Sequence, residues 1–250
     1  DYDNDTDPDL LIIRYTANPI LLRNEGNWQF TDVTSALPIA VYSPLMQSAC
    51  WADYDNDGWL DLYINNYYLQ NDITNWLFHN NGDGTFTEVA AIAGVDNGSK
   101  PTYQSNWIDY DRDGDLDLFV GGRVTPGSYP ESPPSQLLRN EGGKKFVNIA
   151  ADRFKGLVTS ALWTDANGDG WIDLLVTHEW GPVRFYQNQE GHLVDQTKEA
   201  GLESRTGWWN SIAGGDLDGD GVADESRVFA EGLSVPTGME VGGDGVYIGH

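Results

Sequence analysis

Files of alternate carboxylates, separated by single residues, recur five times in this chain, and each is shaped to surround a hard cation. The clearest copy runs Asp53, Asp55, Asp57, Trp59 and Asp61, with Gly58 at its turn. The others are Asp109, Asp111, Asp113, Asp115 and Asp117; Asp165, Asn167, Asp169, Trp171 and Asp173; Asp216, Asp218, Asp220, Val222 and Asp224; and Asp1, Asp3, Asp5, Asp7 and Asp9. Anionic oxygens crowded in this way repel one another, and Ca²⁺, which accepts roughly six to eight oxygen ligands in adaptable geometry, relieves that repulsion.

The spacing separates these loops from an EF-hand, which needs a bidentate Glu at loop position 12 and a helix on either side. Position 12 here is Ile12, Ile64, Val120, Val176 or Arg227. The ligand set is therefore expected to close at position 9, with a backbone carbonyl from position 7. Copies at 53, 109 and 216 carry all four carboxylates and Gly58, Gly114 or Gly221, while the copy at 165 substitutes Asn167. Four calcium sites are expected. The first copy has Thr6 where glycine is expected and Pro8 beyond it, which predicts a distorted turn and leaves a fifth site open. A cage of this kind at a hairpin tip leaves little room for substrate, so the calcium is expected to be structural.

The elements that must hold the loops are strands. Taking the first Asp of each copy as a mark gives positions 1, 53, 109, 165 and 216, a period near 50 residues. Tryptophan stands two residues before three of the loops (Trp51, Trp107, Trp163), and a period-2 apolar file follows each of these: Leu60, Leu62, Ile64; Leu116, Leu118, Val120; Ile172, Leu174, Val176. Further on, four units share an apolar pair, a variable residue and an asparagine, ending at Asn24, Asn80, Asn140 and Asn188, then a glycine-bearing turn and a short strand. Each unit thus reads as four strands, and the chain as an all-β, single β-propeller region. Its units are expected at about 1–44, 45–100, 101–156, 157–207 and 208–250, the last atypical. Five units make either a complete small ring or part of a larger one. The first unit lacks a strand before Asp1, and the run Gly245–Gly249 is expected to supply it, within the chain or between neighbours.

Composition narrows the partners. The net charge of −25 opposes binding to nucleic acid or anionic membrane. One Ca²⁺ in each of five loops would bring it to about −15. With 40% hydrophobic residues and ten Trp, a large core can be buried. Neither a membrane span nor a signal peptide is visible, and the start at Asp1 without Met, inside a repeat, points to a processed or truncated product. The single Cys50 excludes an internal disulfide. Weak calcium sites load where calcium is plentiful, so a secreted, extracellular or cell-surface setting is expected, with the periplasm as a further option.

The stretches Trp51-Ala52-Asp53-Tyr54-Asp55-Asn56-Asp57-Gly58, Phe119-Val120-Gly121-Gly122-Arg123 and Trp208 to Asp216 resemble FG-GAP repeats of the VCBS type. These are the blades of integrin α-subunit propellers and of bacterial secreted proteins akin to cartilage acidic protein. The resemblance, over roughly residues 1–225, implies calcium at the loops and a role in adhesion or ligand binding. Residues 232–239 depart from it and look like propeller modules of membrane-bound sugar dehydrogenases, so an accessory domain of a sugar-acting enzyme is the alternative reading.

A ligand surface is expected where units carry insertions. From first loop Asp to hairpin Asn the separations are 23, 27, 31 and 23 residues. The second and third units therefore have extra loops on one face, holding Tyr67 and Tyr68, and Arg123 and Tyr129. Such residues suit a protein or carbohydrate surface, and loops that merely pack on neighbouring blades would look the same. Association through open blade edges, as an oligomer or fibre, is a third expectation. His178-Glu179-Trp180 has no second histidine, nucleophile elbow or phosphate loop to join it, and no catalysis is expected.

Overall fold

The computed structural model describes residues 1–14, 17–39, 46–66, 74–125, 127–150 and 153–215, and the backbone of 238–242 and 245–249. Three four-stranded antiparallel sheets follow one another along the chain, each laid out in sequence order. The second sheet holds β4 (Met46–Ala52), β5 (Asp61–Asn66), β6 (Trp76–Asn80) and β7 (Phe86–Glu88). The third holds β8 (Thr102–Ile108), β9 (Asp117–Gly122), β10 (Gln136–Asn140) and β11 (Phe146–Asn148). The fourth holds β12 (Val158–Thr164), β13 (Asp173–His178), β15 (Arg184–Gln189) and β16 (His192–Asp195). A small ribbon beside it pairs β14 (Gly181–Pro182) with β17 (Thr206–Gly207).

The first sheet has three strands, β1 (Leu10–Ile12), β2 (Ile20–Asn24) and β3 (Phe30–Asp32). The terminal run does not complete it. β19 (Gly245–Gly249) pairs instead with β18 (Gly238–Gly242), so a closing strand for the first unit is not what this run supplies here. A short run, Gly243 and Asp244, separates the two segments, and local hairpin pairing avoids the entropy cost of closing a loop through most of the chain.

The alternating apolar files become β5, β9 and β13, as their period predicts, but both faces of these strands are buried. Leu62 and Ile64 point into a core shared with the first sheet, while Tyr63 points into one shared with the third. Leu118 and Val120 likewise face the second sheet, and Phe119 faces the fourth. The second and third sheets are therefore sandwiched between their neighbours, and the cores lie between sheets. β8 lies against β4 on one side and β12 on the other, with Ser48 Oγ donating to the Tyr103 carbonyl at 2.9 Å. The same register shift interrupts β4, β8 and β12, after Met46, Thr102 and Val158.

This arrangement puts two sets of connections at opposite ends. The acidic loops join the first and second strands of the second, third and fourth sheets and lead into β1 of the first, and the insertions join the second and third strands. Cys50 lies within β4, its thiol 3.2 Å from Ser105 Oγ and pushed up to about 11 by burial, which makes it an inert packing group. No helix among the described residues is long and apolar enough to cross a membrane.

Candidate metal centres

The aspartate at loop position 9 is the loop's anchor. Asp61, Asp117 and Asp173 are fully buried at the start of β5, β9 and β13. One carboxylate oxygen of each accepts the backbone N–H of the hairpin asparagine, Asn80, Asn140 or Asn188, at 2.7–2.8 Å. The other accepts the N–H of loop position 2, from Tyr54, Tyr110 or Ala166. Asp9 makes the same pair of bonds to Asn24 and Tyr2. The recurrent asparagine then reaches across to the preceding unit: Asn80, Asn140 and Asn188 donate to the carbonyls of Tyr2, Tyr54 and Tyr110 at 2.7–2.8 Å. Those tyrosines pack on the next sheet, Tyr54 stacking on Trp107 with ring centroids 6.0 Å apart. One aspartate, one asparagine and one tyrosine thus fasten each of the first three loops to the sheet that follows.

Positions 1 and 5 shape the turn. Asp53 accepts from the N–H groups of Asp57 and Gly58, and Asp1 from those of Asp5 and Thr6. Asp5, Asp57, Asp113 and Asp169 each accept the N–H two residues on, at 2.8–2.9 Å. Position 3 is different. Asp3, Asp55 and Asp111 each bury an Oδ1 atom that meets no donor, as does Asp109 Oδ1. A buried acceptor without a partner is costly, and here the orphaned oxygens lie beside other carboxylates. Burial and the neighbouring charges, Asp5 for Asp3, Asp57 for Asp55 and Asp113 for Asp111, hold all three position-3 carboxyls above the usual range. Ligand atoms of Asp1, Asp3 and Asp5, of Asp53, Asp55 and Asp57, and of Asp109, Asp111 and Asp117 each lie within 4.8 Å of one another. The residues fit a divalent cation with oxygen ligands, whose charge would satisfy the orphaned acceptors.

The fourth loop carries an amide at position 3, Asn167. Asn167 Nδ2 donates to Asp169 Oδ2 at 2.8 Å, and Asn167 Oδ1 accepts the Asp169 N–H at 3.0 Å. The Trp171 N–H and this amide hold the Asp169 carboxyl below its usual range. The first loop, where a distorted turn was expected, keeps the common path instead. Thr6 takes φ +80°, alongside +92° and +93° at Gly58 and Gly114, and the acids converge. A β-branched residue is strained there. Thr6→Gly should therefore stabilise the chain by about 1 kcal/mol in urea unfolding; a loss of stability would show that the threonine side chain contributes more than its backbone costs.

Two further features were not foreseen. The variable residue before each hairpin asparagine stands over the loop: Arg23 Nε is 4.0 Å from Asp3 Oδ2, and His79 Nδ1 is 3.3 Å from Asp55 and 3.1 Å from Asp61. His79 adds a nitrogen donor atom to the second loop's acids. The loops are also tied in series through position 4. Asn4 donates to the Gly58 carbonyl at 2.9 Å, Asn56 to Asp115 Oδ1 at 3.0 Å, and Arg112 to the Gly170 carbonyl while its guanidinium lies 4.3 Å from the Trp171 ring centroid. The Trp59 indole meanwhile lies against Gly82 in the hairpin of its own sheet. The signal for these ties was the repeated position 4, whose backbone is left-handed at Asn4, Asn56 and Arg112.

Burial raises the carboxyls of Asp61 and Asp117 to about 7 without an ion. Because the folded value exceeds the unfolded one, the ion-free fold is favoured below the ordinary carboxyl range near 3.8 and loses stability as pH climbs through 7. A bound cation favours the ionised form and opposes that loss. The gain in melting temperature on adding Ca²⁺ should accordingly be larger at pH 8 than at pH 5; an equal or smaller gain at pH 8 would contradict this.

The loop residues Asp216, Asp218, Asp220, Val222 and Asp224 lie outside the described residues, as do Tyr67, Tyr68 and most of 232–239. Arg123 and Tyr129 are described, at the end remote from the acids. His178 is buried, its imidazole lowered to about 4 by desolvation and its Nδ1 3.4 Å from the Pro182 carbonyl.

Successive antiparallel sheets, with an acidic loop leading into one strand of each and an Asp–Asn tie at its base, define a β-repeat protein. The chain belongs to the FG-GAP-like repeat family, which it matches over residues 1–64, 66–120 and 165–224, more than half of its length. Cartilage acidic protein 1 of Homo sapiens is 25% identical over 184 residues, covering 68% of this chain and 27% of that protein. The Mus musculus protein of that name is 25% identical over 182 residues, and the Xenopus tropicalis one 25% over 183. These alignments cover 68% and 69% of this chain, so the chain spans about a quarter of the length of the curated relatives it matches, 27% in each.

Proposed function

We propose that this chain is a calcium-binding β-propeller module, secreted or displayed at a cell surface, that serves adhesion, ligand binding or structural assembly and carries out no catalysis. Its sheets act as blades, and calcium holds the loops at one end. The observation that carries this reading is the set of buried, unpartnered oxygens of Asp3, Asp55, Asp109 and Asp111 among converging carboxylates. No backbone or side-chain donor meets them, and a hard cation is the group whose chemistry does. Family membership and a distant likeness to proteins named for cartilage and acidity support the placement. Burial keeps His178 neutral and turned to a backbone carbonyl, which suits a packing role.

Calorimetric titration of the chelated chain tests the reading. Ca²⁺ should bind at several sites per chain with affinities of about 10⁻³ M or tighter, and Mg²⁺, which demands a smaller octahedral shell, should bind more weakly. Absence of Ca²⁺ binding at millimolar concentration would overturn it.

A further inference from the structure

At the end remote from the acidic loops, the connection after β9 and the connection after β13 bring exposed aromatic rings onto an ion pair. Glu179 Oε2 lies 2.6 Å from Arg123 Nη1, and Glu179 Oε1 accepts from the Tyr129 hydroxyl at 3.1 Å. That hydroxyl accepts in turn from the Trp180 indole N–H. The Arg123 guanidinium lies 5.1 Å from the Tyr103 ring centroid, and Trp180 packs on Trp208 with centroids 5.0 Å apart. Tyr129, Trp180 and Trp208 nevertheless remain 56%, 55% and 59% exposed.

Their polar ends are fixed and their faces are left in water, an arrangement that core packing does not call for. A largely buried ion pair adds little net stability of its own, since desolvation offsets its attraction. We propose that this cluster is a binding site for a neutral oligosaccharide. Pyranose C–H faces stack on Trp180 and Tyr129, and sugar hydroxyls bond to Arg123 and Glu179. The inference rests on the reading of the chain as a ligand-binding module and names the ligand class.

Charge and hydrogen-bond chemistry choose this occupant. A chain of net charge −25 disfavours sulfated or uronic polymers. Hydroxyls both donate and accept, and so match a floor made of one guanidinium and one carboxylate. A proline-rich peptide would use the aromatic faces but has few donors to offer Glu179.

The test titrates the whole chain, in millimolar Ca²⁺, with neutral hexasaccharides of the gluco, xylo, manno and galacto series, read by tryptophan fluorescence and calorimetry. At least one should bind. Trp180→Ala should weaken binding roughly tenfold or more, and Tyr129→Phe by about fivefold through its lost hydroxyl. Both variants should keep the wild-type difference in melting temperature between Ca²⁺ and chelator. The inference is overturned if no neutral hexasaccharide binds at millimolar concentration. It also fails if Trp180→Ala leaves binding unchanged, or if hexaproline or a sulfated hexasaccharide binds more tightly. Loss of the calcium-dependent melting difference in the unaltered chain would instead tell against the module reading, and the sugar titration would still decide the site.

Discussion

Removing divalent ions with excess chelator should lower the melting temperature by roughly 10 °C or more. Three loops gather their acids among the described residues. A ligand that binds only the native state stabilises it by RT ln(1 + [L]/Kd), so a site at ten to a hundred times its Kd contributes about 1.4–2.7 kcal/mol. Three such sites contribute on the order of 5 kcal/mol, and a chain of this size shifts by about 2–4 °C per kcal/mol. The direction is reinforced by the ion-free state, where burial and like charge already raise the carboxyls of Asp3, Asp55 and Asp111. Scanning calorimetry in 10 mM Ca²⁺ and in EDTA, about the range in which weak sites fill, measures the difference. Coincident transitions would remove the structural role assigned to calcium.

The second large effect separates two aspartates of one loop. Asp117→Ala should cost about 3 kcal/mol even in chelator, because it leaves the buried N–H of Asn140, and that of Tyr110, without an acceptor. Asp111→Ala should be close to neutral in chelator, since its orphaned Oδ1 has no donor to lose and Asp113 is relieved of a like charge. In saturating Ca²⁺ the order changes: Asp111→Ala should forfeit about 2 kcal/mol of ion-linked stability. Urea unfolding of both variants, with and without Ca²⁺, gives the four values. Equal costs for Asp111→Ala in both conditions would mean that this carboxylate serves the fold and not an ion.

These contrasts also show what could be read from the residues alone. The acid files, their turns and the strands behind them were legible because each is a local pattern, with oxygens at every second position and apolar side chains alternating in β5, β9 and β13. The recurrent asparagines were visible too, but their partners were not. Asn140 meets Tyr54, which lies 86 residues away, and no spacing in the sequence points to that contact. Burial of both faces of β9 was missed for a related reason, since Phe119 is buried only because a fourth sheet covers it. The distortion expected of the first loop did not appear. Thr6 accepts a left-handed backbone despite its branched side chain. Arg123 and Tyr129 were picked out by an insertion, whereas Glu179, Trp180 and Trp208 came into the same cluster only through the packing of neighbouring sheets.

A crystal structure of the chain grown in 10 mM Ca²⁺, about ten times the Kd of a weak site, tests the account most directly. The prediction is an anomalously scattering ion among Asp53, Asp55 and Asp57 and another among Asp109, Asp111 and Asp117, with oxygen ligands at roughly 2.3–2.6 Å. Loops that keep the same path with no ion between those carboxylates would contradict it.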